Sequence, residues 1–253
     1  MPANGRVLIG IPVYNEEETV SRVIEEVGRV AHASCADVLV VDDGSTDGTS
    51  QALVGQPVHV IRSPENRGYG WAIRHMLSWA AQHSFEWLIT IDCDEQHEPA
   101  SIPVFLEAIA EDDSDVVSGS RYLESRPEND APPADRRRIN QLMTHELNRC
   151  LGLRITDAFC GFKAYRVAAC QKLELDRDGY DIPMQFWVEV AEAKLRIREI
   201  PVKLLYPDEN RTFGGELDDF SIRLAHYRSA VTEQLARRGK APCPKMDAVV
   251  SSS

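Results

Sequence analysis

No apolar run in this 253-residue chain approaches the roughly 20 residues needed to cross a bilayer. Its first residues lack the charged and apolar regions of a signal peptide, so a soluble protein is expected. The six cysteines, Cys35, Cys93, Cys150, Cys160, Cys170 and Cys243, contain no C-x-x-C pair and no metal-ligand spacing, and they read as reduced thiols in a cytosolic protein. Basic charge is scarce as well. Against 40 acidic residues stand 28 Lys and Arg, a formal net charge of −12. That balance argues against a general nucleic-acid or anionic-membrane surface, because both partners would be repelled. Any phosphate site must then be local, built from a few placed arginines and a divalent cation. No internal repeat is found.

What is present suits one globular domain. Hydrophobic residues make up 43% of the chain, enough for a proper core, and an α/β fold of this length commonly stays single. The organising stretch is LITIDCDEQHEP, residues 88–99. Leu88, Ile89 and Ile91 read as a buried strand that ends abruptly in a polar loop. In an open α/β sheet the strands' carboxyl edge is where ligands bind. Asp92 and Asp94, two apart on an extended backbone, can point the same way, and Gln96 adds a third hard oxygen. Such a set suits Mg²⁺ or Mn²⁺, which takes one or two carboxylates and leaves its other positions to water and substrate phosphates.

Along the chain, strands are expected at 7–13, within 37–43, and at 58–62, 88–91, 115–119 and 196–206. Helical spacing lies between them, in EEETVSRVIEEV with its acidic first turn, a short piece after Thr49, 102–109, 136–151 and 220–238, while 63–83 reads as a loop with two glycines and then a helix, and 179–193 as a loop followed by a helix. Alternating β and α segments favour a parallel sheet. The proline- and charge-rich stretch 124–135 reads as a mobile loop, 155–165 as compact and mixed, and 239–253 as a disordered tail with little to bury.

Three acidic or polar loops, PVYNEEE, VDDGSTDGT and DCDEQHEP, thus end successive strands, and GSRY ends a later one. Together they resemble family 2 glycosyltransferases of the A-type fold, and the later segments look most like the dolichyl- or polyprenyl-phosphate mannosyltransferase branch. The resemblance spans roughly residues 7–215 and lies in the order and spacing of several motifs. It implies an α/β, single-domain, three-layer sandwich over 1–238 with a mostly parallel mixed sheet. The nucleotide-binding half would be about 1–122 and the acceptor half about 123–238. It also implies metal-dependent, inverting transfer from a nucleotide-diphosphate sugar, GDP-mannose or a UDP-sugar, to a polyprenyl phosphate or another acceptor. A cytoplasmic protein, peripheral at the inner membrane face or fully soluble, would follow.

By the same resemblance, Pro12, Tyr14 and Glu16 hold the base and sugar, with Asp42 and Asp43 the acidic pair after the second strand. Asp92, Asp94 and Gln96 form the metal and diphosphate motif, and Arg121 lies near the diphosphate, where its planar fork can bind phosphate oxygens in pairs. Asp157, in TDAFCGFKAYR, matches the branch's D-x-x-S-G-F-R-x-Y segment with Cys160 and Lys163 substituted, and Arg211 matches an arginine in a loop that closes over the donor. Local readings stand beside these. Tyr14, Phe162 and Tyr165 suit a core, Asp42 and Asp43 suit turns capping the helix after Gly48, Arg121 suits a surface, and Arg67 is either a phosphate contact or a loop charge.

Departures fall in the acceptor half. Gln185 stands where the branch has a glutamate, Glu216 and Leu217 replace a Ser-Lys pair, and Asn140 replaces a serine, although Arg136 matches an arginine. A phosphate acceptor is already ionised, whereas a small hydroxyl acceptor needs a general base, for which Asp157 and Asp181 are candidates. A non-catalytic nucleotide-sugar-binding protein would explain the altered acceptor loop but not the intact Asp92, Asp94 and Gln96. A nucleotidyltransferase is disfavoured, because it would carry a glycine-rich basic loop where this chain has acidic PVYNEEE.

Overall fold

The computed structural model describes residues 5–94, 96–124, 129–205 and 215–243. Seven strands form one sheet: β1 (Val7–Val13), β2 (Asp37–Asp42), β3 (His59–Arg62), β4 (Trp87–Thr90), β5 (Val116–Ser120), β6 (Lys163–Arg166) and β7 (Ile197–Pro201). Their order is β3-β2-β1-β4-β6-β5-β7. All neighbours are parallel except at β6, which runs antiparallel to both β4 and β5.

Alternation along the strands sends side chains to two cores, since successive residues of a strand face opposite sides. Leu8, Leu39, Val41, Leu88, Val116 and Tyr165 face one core. It is covered by α3 (Tyr69–Gln82), α5 (Ala134–Leu151), α6 (Val167–Cys170), α7 (Ile182–Glu192) and α8 (Phe220–Arg237). Ile9, Ile11, Val40, Ile89 and Val117 face the other, under α1 (Val20–Ser34) and α4 (Ile102–Ala110). A parallel sheet buried on both faces between helices is the expected three-layer α/β architecture.

The elements stand close to where periodicity puts them, with three differences. The first helix begins at Val20, beyond the glutamates, because these serve the turn before it. Glu16 N donates to Thr49 Oγ1 (2.7 Å), and Glu17 accepts Gly48 N on Oε2 (2.7 Å), which ties this turn to the start of α2 (Thr49–Ala52). The last strand stops at Pro201, at the end of its register with β5. The stretch 155–165 ends in the first three residues of β6, which is inserted between two parallel strands.

The cysteine reading needs correction. Cys150 and Cys243 form a disulfide with Cα atoms 5.4 Å apart, a separation that a bridge spans without backbone movement. Spacing could not reveal it, because the two lie 93 residues apart and meet only where the end of α5 faces the chain leaving α8. Cys35, Cys93, Cys160 and Cys170 remain thiols. The expected tail is likewise anchored as far as Cys243, with Lys240 paired to Glu192; residues 244–253 lie outside the described residues, as do 125–128 of the expected loop. Among the described residues no helix is long and apolar enough to cross a membrane.

Candidate active site

From β1 the chain passes to β2 on one side, while β4 pairs on the other, so strand order reverses at β1. Outside the carboxyl ends of β1, β2 and β4 a crevice is forced by this reversal. A cavity of about 520 Å³ occupies it, within the range of small-molecule sites. Pro12, Tyr14, Glu16 and Asp43 line one side. Tyr14 is 41% exposed, so it forms a wall of the cavity and not part of the core.

The acidic pair after β2 divides. Asp42 is fully buried and turned inward: it accepts Ser45 N (2.9 Å) and Ser50 Oγ (2.5 Å), and it does not line the cavity. Asp43 lines the cavity and accepts the N–H groups of Arg67 (2.8 Å) and Gly68 (2.6 Å) just before α3. Burial raises its pKa in spite of those two donors. Arg67 therefore contributes its backbone here, while its half-exposed guanidinium lies 3.5 Å from Glu65 and outside the cavity lining. Gly68, at φ +104°, lets the chain pass where a Cβ would lie 2.4 Å from the Asp178 carbonyl oxygen.

After β4, Asp92, Asp94, Gln96 and His97 all line the cavity. Asp92 is held from several sides. Tyr69 donates its hydroxyl to Oδ1 (3.1 Å), the His97 Nε2 lies 3.8 Å from Oδ2, and the bare Cα of Gly161 packs against it. A Cβ at residue 161 would sit 2.2 Å from that Oδ2, so glycine leaves the carboxylate its place. Asp94 accepts Gln96 N on Oδ1 (3.1 Å), which shapes the loop. Two carboxylates and an amide oxygen on one open loop fit a Mg²⁺ or Mn²⁺ ion that completes its shell with phosphate and water. Among the described residues no three His, Cys, Asp or Glu side chains converge on one metal position, so retention of an ion would depend on the substrate.

After β5, Arg121 and Asp157 form a closed pair. Nε and Nη2 of Arg121 donate to the two carboxylate oxygens at 2.6 and 2.9 Å, Asn140 Nδ2 adds a third bond (2.7 Å), and Phe159 N a fourth (3.1 Å). Burial alone would raise the Asp157 pKa; Arg121 and Asn140 outweigh it and hold the group well below the usual carboxylate range. Arg121 lines the cavity, whereas Asp157 stands fully buried behind it. Next to them Lys163, the first residue of β6, also lines the cavity, its ammonium donating to the Cys160 carbonyl, and burial pushes the Cys160 thiol up to about 12.

The cavity is also lined by Arg136 from α5, Arg223 and Tyr227 from α8, and Tyr180 before α7, whose ring stacks on Tyr69 with centroids 6.0 Å apart. Arg223 donates to the carbonyl of Leu217 (2.7 Å) and pairs with Asp135. Glu216 is exposed at the surface. Gln185 does not reach the cavity. Its Oε1 accepts Asp176 N and Arg177 N, and its amide donates to Asp176 and Gln234. Asp181, also outside the lining, is paired with Arg177. Arg211 lies outside the described residues.

Tyr69, His97, Tyr180 and Arg223 escaped the sequence reading. His97 stood inside the organising stretch itself, and Arg223 shares one helix face with Tyr227, four residues on, a signal that periodicity could have offered. The buried His97 ring has a pKa lowered to about 3 by desolvation and by the charge of Arg121, against 6.5 ordinarily. An unfolded chain therefore takes up this proton first, and the contribution to stability present above pH 6.5 is lost as pH falls toward 3. In metal-free protein, acidification from pH 6.5 to 5 is expected to cost about 2 kcal/mol through this group. Urea unfolding of the parent and of His97→Gln at both pH values measures it; equal pH dependence in the two would refute the assignment.

A model of glycosyl transferase family 2 matches residues 8–174. The undecaprenyl-phosphate mannosyltransferase of Micrococcus luteus is 30% identical, covering 88% of this chain and 93% of that protein. The polyprenol monophosphomannose synthase of Mycolicibacterium smegmatis is 31% identical over 89% and 86% of the two chains. Among solved structures, glucosyl-3-phosphoglycerate synthase from Mycobacterium tuberculosis, crystallised with Mn²⁺, uridine diphosphate and glucosyl-3-phosphoglycerate, superposes with a TM-score of 0.72. At 18% identity, covering 92% of this chain and 81% of that one, it shares the fold.

Proposed function

The chain belongs to glycosyl transferase family 2 and is a glycosyltransferase, and from that premise we propose that it moves a sugar, with inversion, from a nucleoside-diphosphate donor to a polyprenyl phosphate. The observation that carries this reading is one cavity lined both by Pro12, Tyr14, Asp43, Asp92 and Asp94 and by the arginines Arg136 and Arg223. The donor half would then be 1–122 and the acceptor half 123–238.

Pro12 and the Tyr14 ring offer an apolar wall to a base, and Asp43 and Glu16 accept hydrogen bonds from base N–H groups or ribose hydroxyls. Asp92, Asp94 and Gln96 would hold Mg²⁺ or Mn²⁺, which when bound supplies charge neutralisation to the donor's diphosphate. The Mn²⁺ present in the fold neighbour supports a divalent ion. As the acceptor oxygen bonds to the anomeric carbon, the bond from that carbon to the diphosphate oxygen breaks, and its electron pair leaves on the nucleoside diphosphate.

A phosphate acceptor is supported by what the carboxylates cannot do. Asp157 is engaged by Arg121, Asn140 and Phe159 N, and Asp181 is paired with Arg177, so neither candidate base is free to take a proton from a hydroxyl. A phosphate monoester brings an ionised oxygen and needs no base. The names of both bacterial relatives point to the same acceptor class. Such an enzyme would meet its lipid acceptor peripherally at a cytoplasmic membrane face.

GDP-mannose and UDP-sugars, each offered with Mn²⁺ or Mg²⁺ to a short-chain polyprenyl phosphate and to small soluble alcohols, provide the test. Product is expected with the phosphate acceptor alone, and only with the cation present. Transfer to an alcohol at the same rate would sink the acceptor assignment, and product of retained anomeric configuration by NMR would sink inversion.

A further inference from the structure

Lys163 is only 3% exposed and yet lines the cavity. Its ammonium donates to the carbonyl of Cys160 and stands 5.5 Å from the centroid of the Trp187 ring. Neither partner carries charge, and among the described residues no carboxylate is at ion-pair distance from it. The nearby Asp157 is already taken by the bidentate Arg121. A desolvated ammonium without a counter-ion is expensive, and such a charge is retained where something answers it. Its place narrows what that is. Lys163 opens β6 and is paired in register with Thr90 at the end of β4 and Ser118 in β5, beside the loop that carries Asp92 and Asp94.

We propose that Lys163 is the protein cation that binds the donor's diphosphate, the task that sequence resemblance gives to Arg121. Arg121 is the weaker candidate because Asp157 balances its charge and occupies two of its donors. Lys163 brings to the cavity lining a positive charge with no ion-pair partner of its own among the described residues, beside the loop that carries Asp92 and Asp94. Burying the ammonium without a counter-ion is a loss that a bound anion would recover. Burial indeed draws its pKa down. This inference rests on the proposed nucleotide-sugar reading.

Lys163→Met and Lys163→Arg test it. In calorimetric titrations with Mn²⁺ and GDP or UDP, Lys163→Met is expected to weaken binding about 10- to 100-fold, the worth of one charged hydrogen bond. Lys163→Arg should restore most of the affinity. Without ligand, Lys163→Met should unfold at the parent's midpoint or above it, since methionine removes a buried charge while keeping the apolar stem. A lysine that merely props up the fold would give the reverse, a lowered midpoint with unchanged affinity, and that result overturns the proposal. So does a loss confined to titrations with a short-chain prenyl phosphate, which would move the anion to the acceptor. Should the parent bind neither nucleoside diphosphate, the proposed function falls. Lys163 is then judged with Mn²⁺ and inorganic pyrophosphate, where equal binding by parent and Lys163→Met refutes it.

Discussion

An Asp157→Asn protein is expected to be about 3–5 kcal/mol less stable than the parent, the cost of breaking a buried ion pair from one side. Asn keeps the shape of Asp but not the charge, so Arg121, only 10% exposed at its side chain, is left without its counter-ion. The amide also clashes in polarity. Arg121 Nε and Nη2, Asn140 Nδ2 and Phe159 N all donate to this carboxylate, and one of the substitute's two polar atoms is itself a donor. Against a total stability of about 5–15 kcal/mol, this is a large fraction. Removing both charges should cost less than removing one: an Arg121→Met, Asp157→Leu protein is expected to be more stable than Asp157→Asn, because no charge remains unanswered. Guanidinium unfolding of the three proteins measures both steps. A loss below about 1 kcal/mol for Asp157→Asn would mean that water reaches the pair and that its burial has been misread.

Asp94 should matter in the opposite way, for activity more than for folding. Asp94→Ala is expected to lower kcat/KM by about 10²–10³-fold, the scale on which single preorganised charge-stabilising groups act. Because Asp94 Oδ1 also accepts Gln96 N, alanine disturbs the loop as well as the charge. Asp94→Asn keeps an acceptor oxygen for Gln96 N and isolates the charge. If cation binding is the role, both variants lose activity and both bind Mn²⁺ weakly in the presence of nucleoside diphosphate by electron paramagnetic resonance. If shaping the loop is the role, Asn retains most activity and Ala does not. Unfolding midpoints of the two proteins, measured alongside, separate a folding defect from the loss of the ion.

The part of the cavity proposed to take the nucleotide was legible in the sequence because its residues lie in short loops directly after apolar strands. Position next to a strand's end is a local property, and Pro12, Tyr14, Glu16, Asp43, Asp92, Asp94 and Gln96 all line the cavity. The neighbouring Asp42 shows the limit of that logic. One residue earlier in the same acidic pair, its side chain faces inward to the Ser45 amide and the Ser50 hydroxyl, since consecutive residues leaving a strand point to opposite sides. Arg67 shows another limit: its motif is used through the backbone, and a sequence pattern records side chains.

By itself, then, the order of residues determined the alternation of strands and helices, the two apolar faces of the sheet and the acidic loops at its edge, all properties with a reach of a few positions. Tertiary structure alone decided the rest. Reversal of β6 between two parallel strands brings its first residue, Lys163, to the edge where β4 and β5 end, and draws Asp157 onto Arg121 across 36 positions. The disulfide joining Cys150 to Cys243 belongs with these. Such meetings depend on strand direction and helix docking, which are set by burial of whole faces against one another, and burial of that kind is a sum over the entire chain that no single stretch contains.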